Sequence, residues 1–271
     1  MQHEDWVHSA EEALCTYWPE LLRDLEQLVR IESTRGTPAP GAPFGQGPAD
    51  ALAYILGRAR DMGLEVRNRD GYVGTADWGT REPGLDILTH LDVVPAGDGW
   101  KITQPFEPRQ VEGRLYGRGT ADNKGPAIAV LYALLAVKQS GAIPRHRTRL
   151  IWGCAEETGC EDIRAYYASV PPALMTVTPD AAFPVINSEK GRLECHFRKK
   201  AASNGLVRFL SGGGAANAVP DRAQAVLAID PAQARAALAA APEGQCHLEI
   251  APDGLCRLEA HGTATHAASP A

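Results

Sequence analysis

The sequence predicts an α/β protein: a layered domain with a mixed or parallel sheet flanked by helices, followed by a smaller, partial α+β domain. Three observations predict it. Up to about Gly191, short apolar runs of strand length alternate with longer runs of helical period. Carboxylates and a histidine stand just past the ends of the strand-like runs, where open α/β sheets place their sites. After Gly191 the texture changes to alternating strands around one alanine-rich helix. The domain boundary is therefore expected at 190, giving domains 1–190 and 191–271.

The elements follow in order. Glu11 to Arg30 reads as an amphipathic helix with Leu14, Trp18, Leu21, Leu22, Leu25, Leu28 and Val29 on one face. His3 and His8 are expected to precede it. A Gly/Pro-rich loop runs from Thr34 to Pro48. Asp50 to Met62 is a second helix, closed by Gly63. Leu64–Asn68 and Tyr72–Asp77 are two strands joined by a turn at Asp70–Gly71. Leu85–Thr89 is a short apolar run of the buried parallel-strand type and delivers His90 and Asp92. Arg114–Tyr116 leads into Gly117–Arg118–Gly119, and Lys124–Ser140 is a long apolar helix ended by Gly141. Arg149–Gly153 is another core strand and delivers Glu156 and Glu157. Ile163–Ser169 is helical, and Thr176–Thr178 ends at Pro179 and Asp180. Beyond Gly191, strands are expected at Arg192–Arg198, Ala223–Asp230, Gln245–Ala251 and Leu255–His261, with a helix at Pro231–Ala241 that has proline at its start.

Composition removes several function classes. The formal net charge is -6 and the isoelectric point about 5.8, so no nucleic-acid surface is expected. The basic runs at Arg145–Arg147 and Arg198–Lys200 are short and read as solvated loop or strand ends. No run approaches the roughly 18 apolar residues that a membrane span needs. The acidic segment MQHEDWVHSAEEAL has no basic start followed by an apolar stretch, so no secretory leader is expected and the cytoplasm is the expected compartment. The 6 cysteines form no C-x-x-C and read as reduced thiols. Gly212–Gly213–Gly214 is followed by no Lys–Ser/Thr and so does not read as a phosphate loop.

Four segments carry the chemistry: LTHLDVVPAGDGW, GRGTADNKGP, WGCAEETGC and TPDAAFPVINSEKG. Together they place His90, Asp122, Glu157 and Asp180 as a set of hard metal ligands, with Asp92 and Glu156 left over. Each residue alone has a plainer reading. His90 could be a polar strand cap, the glutamate pair a solvated face, Asp180 a turn residue and Asp122 a helix N-cap. It is their joint occurrence, each after a core strand, that points to a metal site. One imidazole with three carboxylates suits Zn²⁺, Mn²⁺ or Co²⁺ and can balance two divalent ions about 3.5–4 Å apart around a shared water. Asp122, in a tight loop between glycine-containing turns, is the best bridging candidate. If the glutamates sit on extended backbone they point apart, so that one ligates while the other faces the water as a general base. Asp92, two residues beyond His90, can return to the second imidazole nitrogen and fix its tautomer.

At these residues the chain resembles the M20 metallopeptidase family, and within it the PepV-like dipeptidases that act on β-Ala-His and other Xaa-His or Xaa-Xaa dipeptides. LTHLDVVPAGDGW, LYGRGTADNKGP, AEETGCEDIRAYY, PDAAFPVINSEKG, SGGGAANAVPDRA and HGTATHAASP carry the resemblance, which spans Pro19 to the end of the chain. It implies that 1–190 is a catalytic, metal-binding domain lacking its C-terminal portion and that 191–271 is a partial lid. By it His90 ligates one ion, Asp122 bridges both, Glu157 completes one and Asp180 the other. Asp92 orients the imidazole, Glu156 is the general base, His266 polarises the scissile carbonyl and Asn217 lies near substrate. The cofactors implied are two divalent ions, zinc first, with manganese or cobalt as alternatives. The Asp122–Asn123 peptide is expected to be cis. Asn123 stands where many members have a second Asp or another residue, a departure expected to be tolerated since that side chain is not a ligand. Members of the family continue well beyond this length and return to the first domain with a last histidine ligand. The resemblance thus implies a C-terminally truncated chain, not expected to be active by itself. The partner implied is a small peptide substrate, without nucleic acid or membrane, and the intact parent is expected to be a monomer. An N-acyl amino-acid deacylase or carboxypeptidase of the same family is the alternative activity, and an inactive fragment or binding remnant the alternative of another class.

Overall fold

A computed structural model describes residues 3–97, 99–182, 184–188, 191, 193, 195–197, 205–213, 218–240, 245–263 and 265–266. The chain divides into two compact units, Met1–Asn187 and Ser188–Ala271.

The first unit is an α/β layer structure. Its helices are α1 (His3–Arg30), α2 (Gln46–Asp61), α3 (Lys124–Gln139) and α4 (Glu161–Tyr167). Its strands are β1 (Glu65–Arg69), β2 (Val73–Trp78), β3 (Pro83–His90), β4 (Arg109–Val111), β5 (Arg114–Tyr116), β6 (Arg147–Gly153) and β7 (Met175–Val177). A five-stranded mixed sheet has the order β1-β2-β6-β3-β7. The β1, β2 and β6 pairings are antiparallel, and β3 runs parallel to both β6 and β7. A separate hairpin joins β4 to β5.

Side-chain alternation splits the sheet into two faces. Ala76, Leu150 and Trp152 face the larger core with Leu25, Leu28 and Val29 of α1, Leu52, Ile55 and Leu56 of α2, and Ile128, Leu131 and Tyr132 of α3. Val73 and Ile151 face Tyr166 of α4. Near the amino ends of β3 and β6, Arg149 donates Nε and Nη2 to the two oxygens of Asp86, each at 2.6 Å. Tyr167 Oη and the Ala173 N–H add donors to the same carboxylate, so its burial is fully compensated. The carboxyl ends of β3 and β6 are thereby held side by side, with His90 in register with Gly153.

The second unit holds β8 (Val207–Gly212), β9 (Ala218–Val219), β10 (Arg222–Leu227), α5 (Pro231–Leu238), β11 (Cys246–Ile250), β12 (Cys256–His261) and β13 (Thr265–His266). A four-stranded antiparallel sheet has the order β11-β12-β10-β8, and β13 pairs with β9. Asp230 caps α5 by accepting the Ala232 N–H at 2.7 Å, with Pro231 at the first helical position.

Several expectations are corrected. The first helix starts at His3, so His3 and His8 lie within it. Its inward face continues through Ala10, which is buried, while Trp18 is exposed and Tyr17 instead packs towards Tyr132. Of the strand expected at Arg192–Arg198, residues 192, 194 and 198 fall outside the described residues, and the described ones are not in a strand. β8 was not foreseen.

Candidate metal centre

The site forms where β3, β6, β7 and the N-terminus of α3 end together. His90 is the last residue of β3 and is 2 % exposed. Its Nδ1 lies 2.9 Å from the Asp92 carbonyl oxygen and 3.4 Å from Asp92 Oδ1. These acceptors place a proton on Nδ1 and turn Nε2 outwards, the tautomer a metal ligand needs. Around Nε2 stand Asp122 Oδ1 at 3.0 Å, Asp180 Oδ2 at 3.6 Å and Glu156 Oε2 at 3.8 Å. One ligand atom from each of His90, Asp122 and Asp180 lies within 4.8 Å of the others, and the same holds for His90, Glu156 and Glu157.

Asp122 precedes α3, and its peptide bond to Asn123 is cis. The helix N-cap is Asn123 rather than Asp122, and it makes no side-chain cap bond. Asn123, fully buried, donates Nδ2 to Asp180 Oδ1 at 2.6 Å and to the Pro179 carbonyl at 3.2 Å. It therefore orients one of the expected ligands without being one itself. Lys124, also fully buried, donates Nζ to the Leu28 and Ile31 carbonyls at 3.1 and 2.6 Å. This anchors the start of α3 to the end of α1.

Glu156 and Glu157 do not sit on extended backbone. β6 stops at Gly153, and residues 156–159 form a turn closed by Cys160 N–H donating to the Ala155 carbonyl at 2.8 Å. The turn is stabilised because Asp92 accepts the Glu156 and Glu157 N–H groups, each at 3.1 Å. Asp92 thus faces both the imidazole and the glutamate turn. Asn217 falls outside the described residues. His266 lies on β13, in register with Ala218 of β9.

The charges are unbalanced. Among the described residues, no lysine or arginine forms an ion pair with Asp122, Glu156, Glu157 or Asp180. Burial, then the Asp122 charge, pushes the Glu157 carboxyl up to about 7. Burial also raises Glu156 and Asp180, against the lowering effect of His90. Burial pulls His90 down, but the hydrogen bond and charge of Asp92 with the charges of Asp180 and Glu156 outweigh it, and the imidazole is pushed up to about 9. One imidazole with carboxylates crowded around it, their proton affinity raised by burial and by one another's charge, is a donor set that fits hard divalent ions.

Residues 87–260 match the family described as Peptidase family M20/M25/M40. The Beta-Ala-Xaa dipeptidase of Lactobacillus delbrueckii subsp. lactis is 37% identical over 183 residues, covering 66% of this chain and 39% of that protein. Human carnosine dipeptidase 1 aligns with a TM-score of 0.56 at 24% identity, over 65% of this chain and 41% of its own. An M20 family metallo-carboxypeptidase from Sulfolobus solfataricus aligns with a TM-score of 0.52 at 23% identity, over 60% of this chain and 37% of its own. The two solved structures share the fold. The chain spans less than half the length of the curated relatives it matches, 46% and 39% for two of them.

Proposed function

The chain belongs to peptidase family M20/M25/M40, and from that premise we propose that it serves metal-dependent hydrolysis of dipeptides, Xaa-His or other Xaa-Xaa. The observation that carries this reading is the convergence on His90 Nε2 of carboxylates from three separate loops, Asp122, Asp180 and Glu156. The similarity to a Beta-Ala-Xaa dipeptidase supports the substrate class. In this reading residues 1–190 are the metal-binding domain and 191–271 part of a lid.

His90, Asp122, Glu157 and Asp180 would hold two divalent ions, zinc in first place with manganese or cobalt as substitutes. Such ions supply Lewis acidity towards the peptide carbonyl and lower the pKa of water. Asp92 keeps the proton on His90 Nδ1, so that Nε2 offers a lone pair. Glu156 takes a proton from the attacking water at its carboxylate and hands it to the leaving amine nitrogen. Burial raises its proton affinity, which favours its taking up the proton. His266 is proposed to polarise the scissile carbonyl as negative charge develops on its oxygen, and Asn217 is proposed as a substrate-binding residue. These two roles rest on the segments SGGGAANAVPDRA and HGTATHAASP. The cytoplasm is the compartment of this reading. All 6 cysteines are free, which suits a reducing setting, and no described helix is long and apolar enough to cross a membrane.

The test is metal content per chain on the purified 271-residue protein, with β-Ala-His hydrolysis assayed on the same sample. Bound divalent ion with turnover supports the reading. Turnover of acetyl-ornithine or succinyl-diaminopimelate, without β-Ala-His cleavage, would move the activity to deacylation. No ion and no turnover would leave this chain without the activity proposed.

A further inference from the structure

A buried carboxylate with no part in the chemistry above lies under the glutamate turn. When β6 ends at Gly153, the next N–H groups have no strand partner. Four in succession find carboxylates instead. Cys154 and Ala155 donate to Asp162 Oδ2 at 2.6 and 2.8 Å, and Glu156 and Glu157 donate to Asp92 Oδ1 and Oδ2 at 3.1 Å each. Asp162 is 0 % exposed, and its Oδ1 takes a third N–H, from Ile163, at 2.7 Å. The approach is close enough to exclude a side chain before it: a Cβ on Gly153 would stand 2.6 Å from Asp162 Oδ2.

We propose that Asp162 is a positioning residue of the metal centre, which fixes the carboxylates of Glu156 and Glu157 by holding the backbone that leads into them. The proposal rests on the reading of these glutamates as base and ligand. Charge-assisted bonds to backbone N–H are short and directional, and three on one buried carboxylate leave it one position. Asp92 holds the next two N–H groups and also faces His90 Nδ1. With Asp162 in place the turn is pinned on both sides. Without it the glutamates pivot on Asp92 alone, and their distance to Nε2 of His90 is no longer set. Asp162 touches neither substrate nor reacting atom. It acts through the chain.

The experiment compares backbone amide exchange and Co²⁺ affinity in the wild type, Asp162→Asn and Tyr167→Phe. The last is the control: Tyr167 is on the same helix and donates to Asp86 at 3.0 Å, so its loss loosens α4 without touching the turn. Asp162→Asn keeps the shape but loses the charge and one acceptor. The expected result is exchange at least about tenfold faster at Glu156 and Glu157, with β3 and β6 amides unchanged. Co²⁺ binding weakens about tenfold or more, and Tyr167→Phe leaves both at wild-type values. Wild-type exchange at Glu156 and Glu157 in Asp162→Asn would overturn the proposal. If Asp162→Asn does not fold, wild-type protein decides. Cys154 and Ala155 amides as slow as that of Ile151 support the clamp, and amides as fast as that of Thr158 overturn it. A wild type that binds no Co²⁺ would count against the functional reading, while the exchange comparison still judges Asp162.

Discussion

At the scale of single residues, the site is defined by one imidazole amid too many carboxylates. Two predictions belong here. Replacing Glu156 with alanine should lower kcat by about 10²–10⁴-fold in a chain that turns over, with metal content unchanged. Full turnover in that variant would remove Glu156 as the base, and lost metal would make it a ligand. The second concerns pH. Glu157 retains its proton up to about 7 in the folded chain against 4.5 for an ordinary glutamate. The metal-free folded state therefore binds more protons than the unfolded one between those values, and its stability falls as pH rises through the window. Above pH 7 two effects oppose. His90 gives up its contribution as pH climbs from 6.5 through about 9. Lys124, pulled down by burial to about 7 from 10.5, regains stability over its own range. Urea unfolding in chelator from pH 5 to 7 tests the sign, since the raised Glu156 and Asp180 act in the same direction as Glu157: the midpoint should fall, and a rising midpoint would contradict the assigned cause. Saturating Co²⁺ should cancel the fall, since the ion replaces the protons.

At the scale of elements, the three helices on the large core are tied by one carboxylate. Asp24 of α1 accepts from Tyr54 and Arg58 of α2 at 2.9 and 2.7 Å and from Tyr132 of α3 at 2.6 Å. Asp24→Ala should cost about 2 kcal/mol by leaving the Tyr132 hydroxyl and the Arg58 guanidinium without their acceptor. Arg58 retains Glu20, which limits the loss. A urea midpoint equal to wild type would show that the helices are held by packing alone. None of this was legible in the sequence, where Asp24 is one more polar residue within an amphipathic pattern. The core strands were legible, because LDILTH and RLIWG are apolar runs of strand length with a histidine or a glutamate pair at or just beyond the end. β8 was not, because VRFLSG is exposed throughout and carries no burial pattern. The glutamates were legible as a pair but not their backbone. Extended backbone was the natural continuation of β6, whereas the turn depends on Asp92 and Asp162. Asp92 lies 64 residues before Glu156 and 65 before Glu157 along the chain. Asn123 was missed for the same reason, its partner Asp180 being 57 residues away.

At the scale of the whole molecule, every expected ligand lies in Met1–Asn187, and β10, β11 and β12 lie in Ser188–Ala271. The sequence put the change at 190 because an alternating polar and apolar pattern begins after Gly191, while the chain divides at Asn187–Ser188. Ligand ions that bind the folded first unit stabilise it by mass action. At a free Co²⁺ concentration 100 times Kd the gain is about 2.7 kcal/mol, or about 100-fold slower exchange for amides that open only on global unfolding of that unit. The amides of Ile151 and Trp152 in β6 and of Leu131 and Tyr132 in α3 are the reporters, since all four residues are fully buried. Those of β10 to β12 should keep their rates, because none of the candidate ligands His90, Asp122, Glu156, Glu157 and Asp180 belongs to that sheet. Protection gained equally in both units would mean that the ion also binds Ser188–Ala271 or that the two unfold as one. Protection gained only there would move the metal centre away from His90 altogether.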